Sequence, residues 1–230
     1  MGCDIHIRAE VRKDGKWNLV AEPKFENPFY DPETEAKYGK DDSSGYWKKM
    51  CVDPYRGRNY DLFAFLANVR NDGLITPLSE PRGVPKDISD DGRAFMGDDG
   101  ESVDGHSHSY FTLKELLEVD WNQKIGQTGW ITIKQYKELK AGKLPDSWSG
   151  GVFGHGIRHL KPDEADAHIK AGTEQEGDDK NWQAPRDYVS ATWHNTLKDV
   201  CGYFHNNTLP MLKDLGYPPE DIRIIFFFDN

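Results

Sequence analysis

Residues 3–11 alternate without interruption, so an extended chain puts Cys3, Ile5, Ile7, Ala9 and Val11 on one side and Asp4, His6, Arg8 and Glu10 on the other. This period of two predicts a half-buried strand over 3–12. Lys13-Asp14-Gly15-Lys16 predicts that it turns back on a second strand at 16–21, because Asp-Gly supplies the positive-φ residues of a tight hairpin. The outer row is the unusual part. Folding does not require an acid, an imidazole, a guanidinium and a second acid in one line, so the row is a candidate polar site.

The period changes downstream. Leu62, Phe63, Leu66 and Val69 recur at helical spacing behind Asn59, a good N-cap, and predict a short buried helix. Thr112 with Glu115 and Thr132 with Gln135 are capping boxes that predict two more short helices, the second stopped by Gly142. Val189, Trp193, Leu197, Val200, Phe204, Met211 and Leu215 step by threes and fours, which predicts helix over 188–215 with a kink or break at Pro210. The continuous apolar run within 222–230, Ile224 to Phe228, predicts an interior strand buried on both faces. Between these, 22–57, 71–110 and 144–182 are rich in Gly, Pro and Asp and read as loop-rich excursions from a single domain over 1–230. The expected fold class is α+β: a central mixed or antiparallel sheet with an N-terminal hairpin and a C-terminal buried strand, several helices and long irregular loops.

Composition narrows the function classes. With 230 residues, 37% hydrophobic and 12% aromatic, the chain has material for a large core and is not a disordered polymer. A formal net charge of −10 excludes broad binding to extended nucleic acid, which needs clustered Lys and Arg, yet leaves room for a local basic pocket for one small anion. Three cysteines without C-x-x-C spacing fit a reducing cytoplasm and exclude a zinc finger. With no leader pattern and no window of roughly 20 apolar residues, the expectation is a cytoplasmic protein without a membrane partner. A homo-oligomer stays open. No G-x-S-x-G elbow, Walker A loop or G-x-G-x-x-G fingerprint occurs, which removes three common enzyme classes in their usual forms.

The densest chemistry lies in Asp104-Gly105-His106-Ser107-His108-Ser109, just before the helix start at Thr112. If this segment is extended, His106 and His108 point the same way and could share a metal; turn bonding and hydrogen bonding to a phosphate or substrate are the alternatives. If the N-terminal strand lies beside the C-terminal one, Asp4 and His6 approach Asp229, and the His106-Ser107-His108 segment completes a ring. The candidate catalytic residues are therefore Asp4, His6, His106 and His108. With Asp229 they form the candidate ligand set for one divalent ion (Zn, Mn or Mg), which would activate water for attack on a phosphoester. Arg58, in Arg56-Gly57-Arg58-Asn59-Tyr60, precedes a helix start, and Arg82 is held between Pro81 and Gly83. With Asn59, Tyr60, Ser107 and Ser109 these arginines are the candidate ligands for an anion. His155 and His159 stand at i, i+4, but the flanking glycines argue against a helix there.

Asp4-Ile5-His6 and Gly105-His106-Ser107-His108 resemble the first and last signatures of calcineurin-like metallophosphoesterases. The G-D-x-x-D and G-N-H-[DE] motifs of that family are absent, so the likeness is one of chemistry. Met1-Gly2-Cys3-Asp4-Ile5-His6, Arg58-Asn59-Tyr60-Asp61-Leu62-Phe63, Pro81-Arg82-Gly83-Val84-Pro85, the Asp104–Ser109 segment and terminal Phe228-Asp229-Asn230 together resemble an uncharacterised family associated with bacteriophages and prophages. That resemblance implies a context and no activity. It suits an accessory protein that binds a small, anionic, nucleotide-like molecule and either hydrolyses it or sequesters it against host defence. A virion or protein-interaction component would instead use exposed aromatics such as Trp47, Trp148 and Trp182.

Overall fold

The structure, a computed structural model, describes residues 2–41, 45–72, 74–97, 105–178 and 180–230, the side chain of Trp182 excepted. The fold is α+β. The chain divides into two compact units, Met1–Gln123 with Thr196–Asn230, and Lys124–Asn195. Among the described residues no helix is long and apolar enough to cross a membrane.

The first unit opens with strands β1 (Asp4–Lys13) and β2 (Lys16–Leu19), joined through Asp14 and Gly15 at φ 51° and 76°, the expected hairpin. The following excursion holds a two-stranded ribbon of β3 (Phe25–Glu26) and β4 (Met50–Cys51) and, between them, helix α1 (Pro32–Tyr38), capped by Asp31. Helix α2 (Tyr60–Ala67) starts where the Asn59 side chain accepts from the Leu62 amide and stops at Asn68, in the left-handed region at φ 57°. Helix α3 (Asp90–Met96) is capped by Ser89; strand β5 (His106–Thr112) follows and runs into α4 (Leu113–Leu117) through the Thr112–Glu115 capping box.

The second unit contains β6 (Lys124–Thr132), α5 (Ile133–Lys140) behind the Thr132–Gln135 capping box, β7 (Ile157–Leu160), α6 (Pro162–Ala171), β8 (Glu176–Asp178) and β9 (Asn181–Thr196). Its strands run in the order β6-β9-β7, β7 parallel to β9, with β8 antiparallel to β9. Ile131, Ile133, Tyr136, Leu160, Val189 and Trp193 form its core.

The first unit resumes with α7 (Leu197–Val200), a π-helical turn at Phe204–Thr208, α8 (Leu209–Lys213) carrying Pro210, and strand β10 (Ile222–Asp229). Residues 188–196 correct the helical expectation for 188–215: they belong to β9, and helix starts only at Leu197. Val189 and Trp193, four apart, fit a helical period and a strand period equally, and the buried row Val189, Ala191, Trp193 shows that the period of two prevails.

The first unit's main sheet has the order β2-β1-β10-β5, every pair antiparallel, so β10 is interior as its apolar run implies. On one face Ile5, Ile7, Ile224, Phe226, Phe228 and Phe111 are buried with the apolar residues of α2, Phe63 meeting Phe228 edge-on at 5.0 Å. Each such side chain contributes roughly 1.5–3 kcal/mol by leaving water. The other face carries the polar row of β1.

Candidate functional site

The β1–β10 register sets Asp4 opposite Asp229, His6 opposite Phe227, Arg8 opposite Ile225 and Glu10 opposite Arg223. Asp4, His6 and Asp229 thus meet as the strand pairing requires. His6 Nε2 lies 2.9 Å from Asp229 Oδ2, and the imidazole stacks on Phe227 with centroids 4.8 Å apart and planes 14° from parallel. Asp4 receives both arms of Arg58, Nε to Oδ1 at 2.7 Å and Nη2 to Oδ2 at 2.5 Å. This paired hydrogen bonding from Arg58 holds the Asp4 carboxyl below its usual range and raises the arginine in return.

Arg8 pairs with Asp53, which also accepts from Arg56 Nε at 2.9 Å. Burial, then the charge of Arg56, push Arg8 below the usual arginine value. Both guanidiniums lie over rings, Arg8 over Phe95 at 5.2 Å and Arg56 over Tyr46 at 4.8 Å. Asp4, His6, Arg8, Asp53, Arg56 and Arg58 line one cavity of about 620 Å³, with Tyr46, Tyr55 and Phe95 supplying aromatic wall. That volume lies within the usual range for small-molecule sites. Its lining sets three guanidiniums against two carboxylates in a chain whose net charge is −10.

The expected histidine pair does not form. Ser107 takes φ 54°, and β5 bulges so that His106 pairs with Phe228 while Ser109 pairs with Phe226. The extra residue turns the two imidazoles to opposite faces. His106 lies on the core side, 6.0 Å from the Phe228 ring, with Nδ1 2.9 Å from Ser107 Oγ and Nε2 buried without a hydrogen bond to any described residue. His108 is buried on the His6 face, stacked on Phe227 at 5.3 Å, with Nε2 3.0 Å from the Met96 carbonyl. Asp4, His6, His106, His108 and Asp229 therefore do not converge as one ligand set, and among the described residues no three His, Cys, Asp or Glu side chains are grouped to hold an ion. Asp104 lies outside the described residues.

Other candidates serve the scaffold. Asn59 caps α2 and donates to the Val200 carbonyl at 2.6 Å, and the Tyr60 hydroxyl accepts from the Cys3 amide. Arg82 pairs with Glu115 at 2.8 Å, lies over Phe111 at 4.2 Å and bonds through its amide to buried Ser109. Neither Asn59, Tyr60, Arg82, Ser107 nor Ser109 lines the cavity. In the second unit, His159 Nε2 bonds the Val152 carbonyl at 2.7 Å. Trp47 is edge-on to Tyr46, and Trp148 is half exposed against Trp193. Arg8 stands in the alternating row, although the row gives it no ligand role; for Asp53, Arg56, Tyr46, Tyr55 and Phe95 the one available signal is the length of the excursions that carry them.

The same row closes at its far end. Glu10 and Arg223 are 0% and 2% exposed. Arg223 Nε donates to Glu10 Oε2 at 2.7 Å, Arg223 Nη1 to Asp87 at 2.7 Å, and the Ser89 amide and hydroxyl donate to Glu10 Oε1. Helix α3 comes so close that a β-carbon at Gly92 would meet Glu10 Oε1 at 2.5 Å. A second cavity of about 570 Å³ lies beside this network, and its lining sets Arg12 and Lys16 against Asp87, Asp90 and Asp91, so cations do not predominate there.

Compared with known protein families, curated proteins and solved structures, the chain matches none.

Proposed function

We propose that the open cavity binds a small phosphorylated, nucleotide-like molecule, in the manner of an accessory protein of the phage-associated family that the motifs resemble. The observation that carries this reading is that Arg8, Arg56 and Arg58 line one cavity together with His6, in an otherwise acidic chain. Guanidinium forks match the oxygens of phosphate in pairs, and here carboxylates hold each fork in place before a ligand arrives. Tyr46 and Phe95, each with a guanidinium over one face, offer rings against which a planar base would rest.

Binding costs the ligand a competition with Asp4 and Asp53 for those guanidiniums, which favours a multiply charged phosphate over a single carboxylate. The test is the melting temperature of the chain with and without ATP, ADP, GTP and cyclic nucleotides, since a ligand that binds only the folded state raises it by mass action. At least one nucleotide should raise it in the wild type and not in Arg56→Ala/Arg58→Ala. A flat response across all of them overturns the reading.

A further inference from the structure

We infer that the His6–Asp229 pair cleaves a phosphoanhydride bond of the molecule held in the cavity, as a general base that needs no metal ion; this rests on the reading of the cavity as a phosphate site. Holding an anion needs cations. It does not need an imidazole fixed in both direction and tautomer, and His6 is fixed in both.

Asp229 accepts from Nε2, which leaves Nδ1 as the basic nitrogen, and the stacking on Phe227 sets the plane of the ring. Nδ1 makes no hydrogen bond among the described residues, although His6 lines the cavity and its side chain is 43% exposed. The carboxylate orients a base that shares the lining of one cavity with three guanidiniums. An oriented base and cations in one cavity are the parts that nucleophile activation uses.

The remaining groups restrict the bond that can be broken. Asp4 is held ionised by Arg58, and Asp53 is shared between Arg8 and Arg56, so neither carboxyl is placed to give a proton to a departing alkoxide. His108, the other imidazole on this face, is buried against the Met96 carbonyl. Among the described residues the phenols of Tyr46 and Tyr55 are the remaining O–H groups of the lining, both weak acids. This suits a leaving group that departs as a stable anion, and a phosphate expelled from a phosphoanhydride is one. In the step, His6 Nδ1 takes a proton from water and the water oxygen bonds to phosphorus. The bridging P–O bond breaks with its electron pair on the bridging oxygen. The leaving phosphate departs as an anion beside Arg56 and Arg58, and the imidazolium returns its proton to solvent. One water is consumed and nothing is oxidised or reduced.

The experiment uses the full chain with inorganic pyrophosphate, ATP and GTP in excess EDTA, reading phosphate release, beside binding titrations with imidodiphosphate and the imido analogues of ATP and GTP. The wild type should release phosphate in EDTA. His6→Gln should lose about a hundredfold or more in kcat while keeping its affinity for the analogue. Asp229, a positioning residue, should show in Asp229→Asn a kcat lowered about tenfold or more with KM unchanged, which mere loosening of the sheet would not produce. If an analogue binds but its parent compound is recovered intact, or is cleaved only after a divalent metal is added, or is cleaved equally by His6→Gln, the inference is overturned and the binding reading survives. If no analogue binds, both fall together.

Discussion

The two ends of one strand face carry the same kinds of side chain to opposite purposes. At Glu10 the charge is sealed under α3 and every oxygen is answered by Arg223 or Ser89. At Asp4, His6 and Arg8 the charges are paired but border a cavity of about 620 Å³. A buried ion pair with both partners satisfied is part of the scaffold, since neither group is free to exchange its partner for a ligand. The Arg58–Asp4 pair, half exposed on the cavity wall, is weak by itself and can be traded. Residue type along the row does not distinguish the ends; what covers them does.

The sharpest way to break the contrast is at the sealed end. Glu10→Gln leaves the Arg223 guanidinium buried with Asp87 as its remaining carboxylate partner and should cost about 3–5 kcal/mol in urea unfolding. A loss under about 1 kcal/mol would place Glu10 with the exchangeable charges instead. At the open end, Arg58→Ala should leave the unfolding midpoint where it is and weaken binding of imidodiphosphate about tenfold or more, as expected for a lost charge-assisted hydrogen bond. Equal effects on stability at both ends would abolish the distinction.

Asp4→Asn acts in the opposite sense. It frees Arg58 from its competitor and should tighten analogue binding by up to about fivefold. Weaker binding in this variant would mean that Asp4 positions Arg58 for the ligand.

The smallest effect is on acid stability. Arg58 holds Asp4 low; at Asp87 burial opposes ionisation, but the hydrogen bond and charge of Arg223, with the Trp17 indole, outweigh it. For a carboxyl lowered on folding, the stability gained is complete above its unfolded value, about 3.9 for Asp, and is lost as pH falls through the folded one. Neither pair should therefore contribute any pH dependence to thermal stability between pH 5 and 8, and Asp87→Asn should flatten the decline below pH 4. An unchanged acid decline in Asp87→Asn would contradict the assignment.

Much of this frame was legible because it is written locally. The Asp14-Gly15 turn, the Asn59 cap, the two capping boxes and the apolar run of β10 each act over a few residues. The meeting of His6 with Asp229 also followed, because one strand pairing is enough to produce it. The failures share a non-local cause. The bulge at Ser107 answers to the pairing of β5 with β10 and turns His106 away from His108. Asp53 and Arg56 reach the site from an aperiodic stretch whose course no pattern states. Glu10 read as an outward residue because nothing in the alternation reveals that α3 will cover it. Val189 and Trp193 satisfied two periods at once, and the sheet of the second unit decided between them.

Calorimetric titration of imidodiphosphate into the wild type, Arg58→Ala and Arg12→Ala tests the central claim most directly, because Arg12 continues the same row and is likewise paired, with Asp221, but does not line the cavity of His6. One site per chain is expected, with affinity lowered about tenfold or more in Arg58→Ala and unchanged in Arg12→Ala. No heat of binding in the wild type, or equal losses in the two variants, would contradict it.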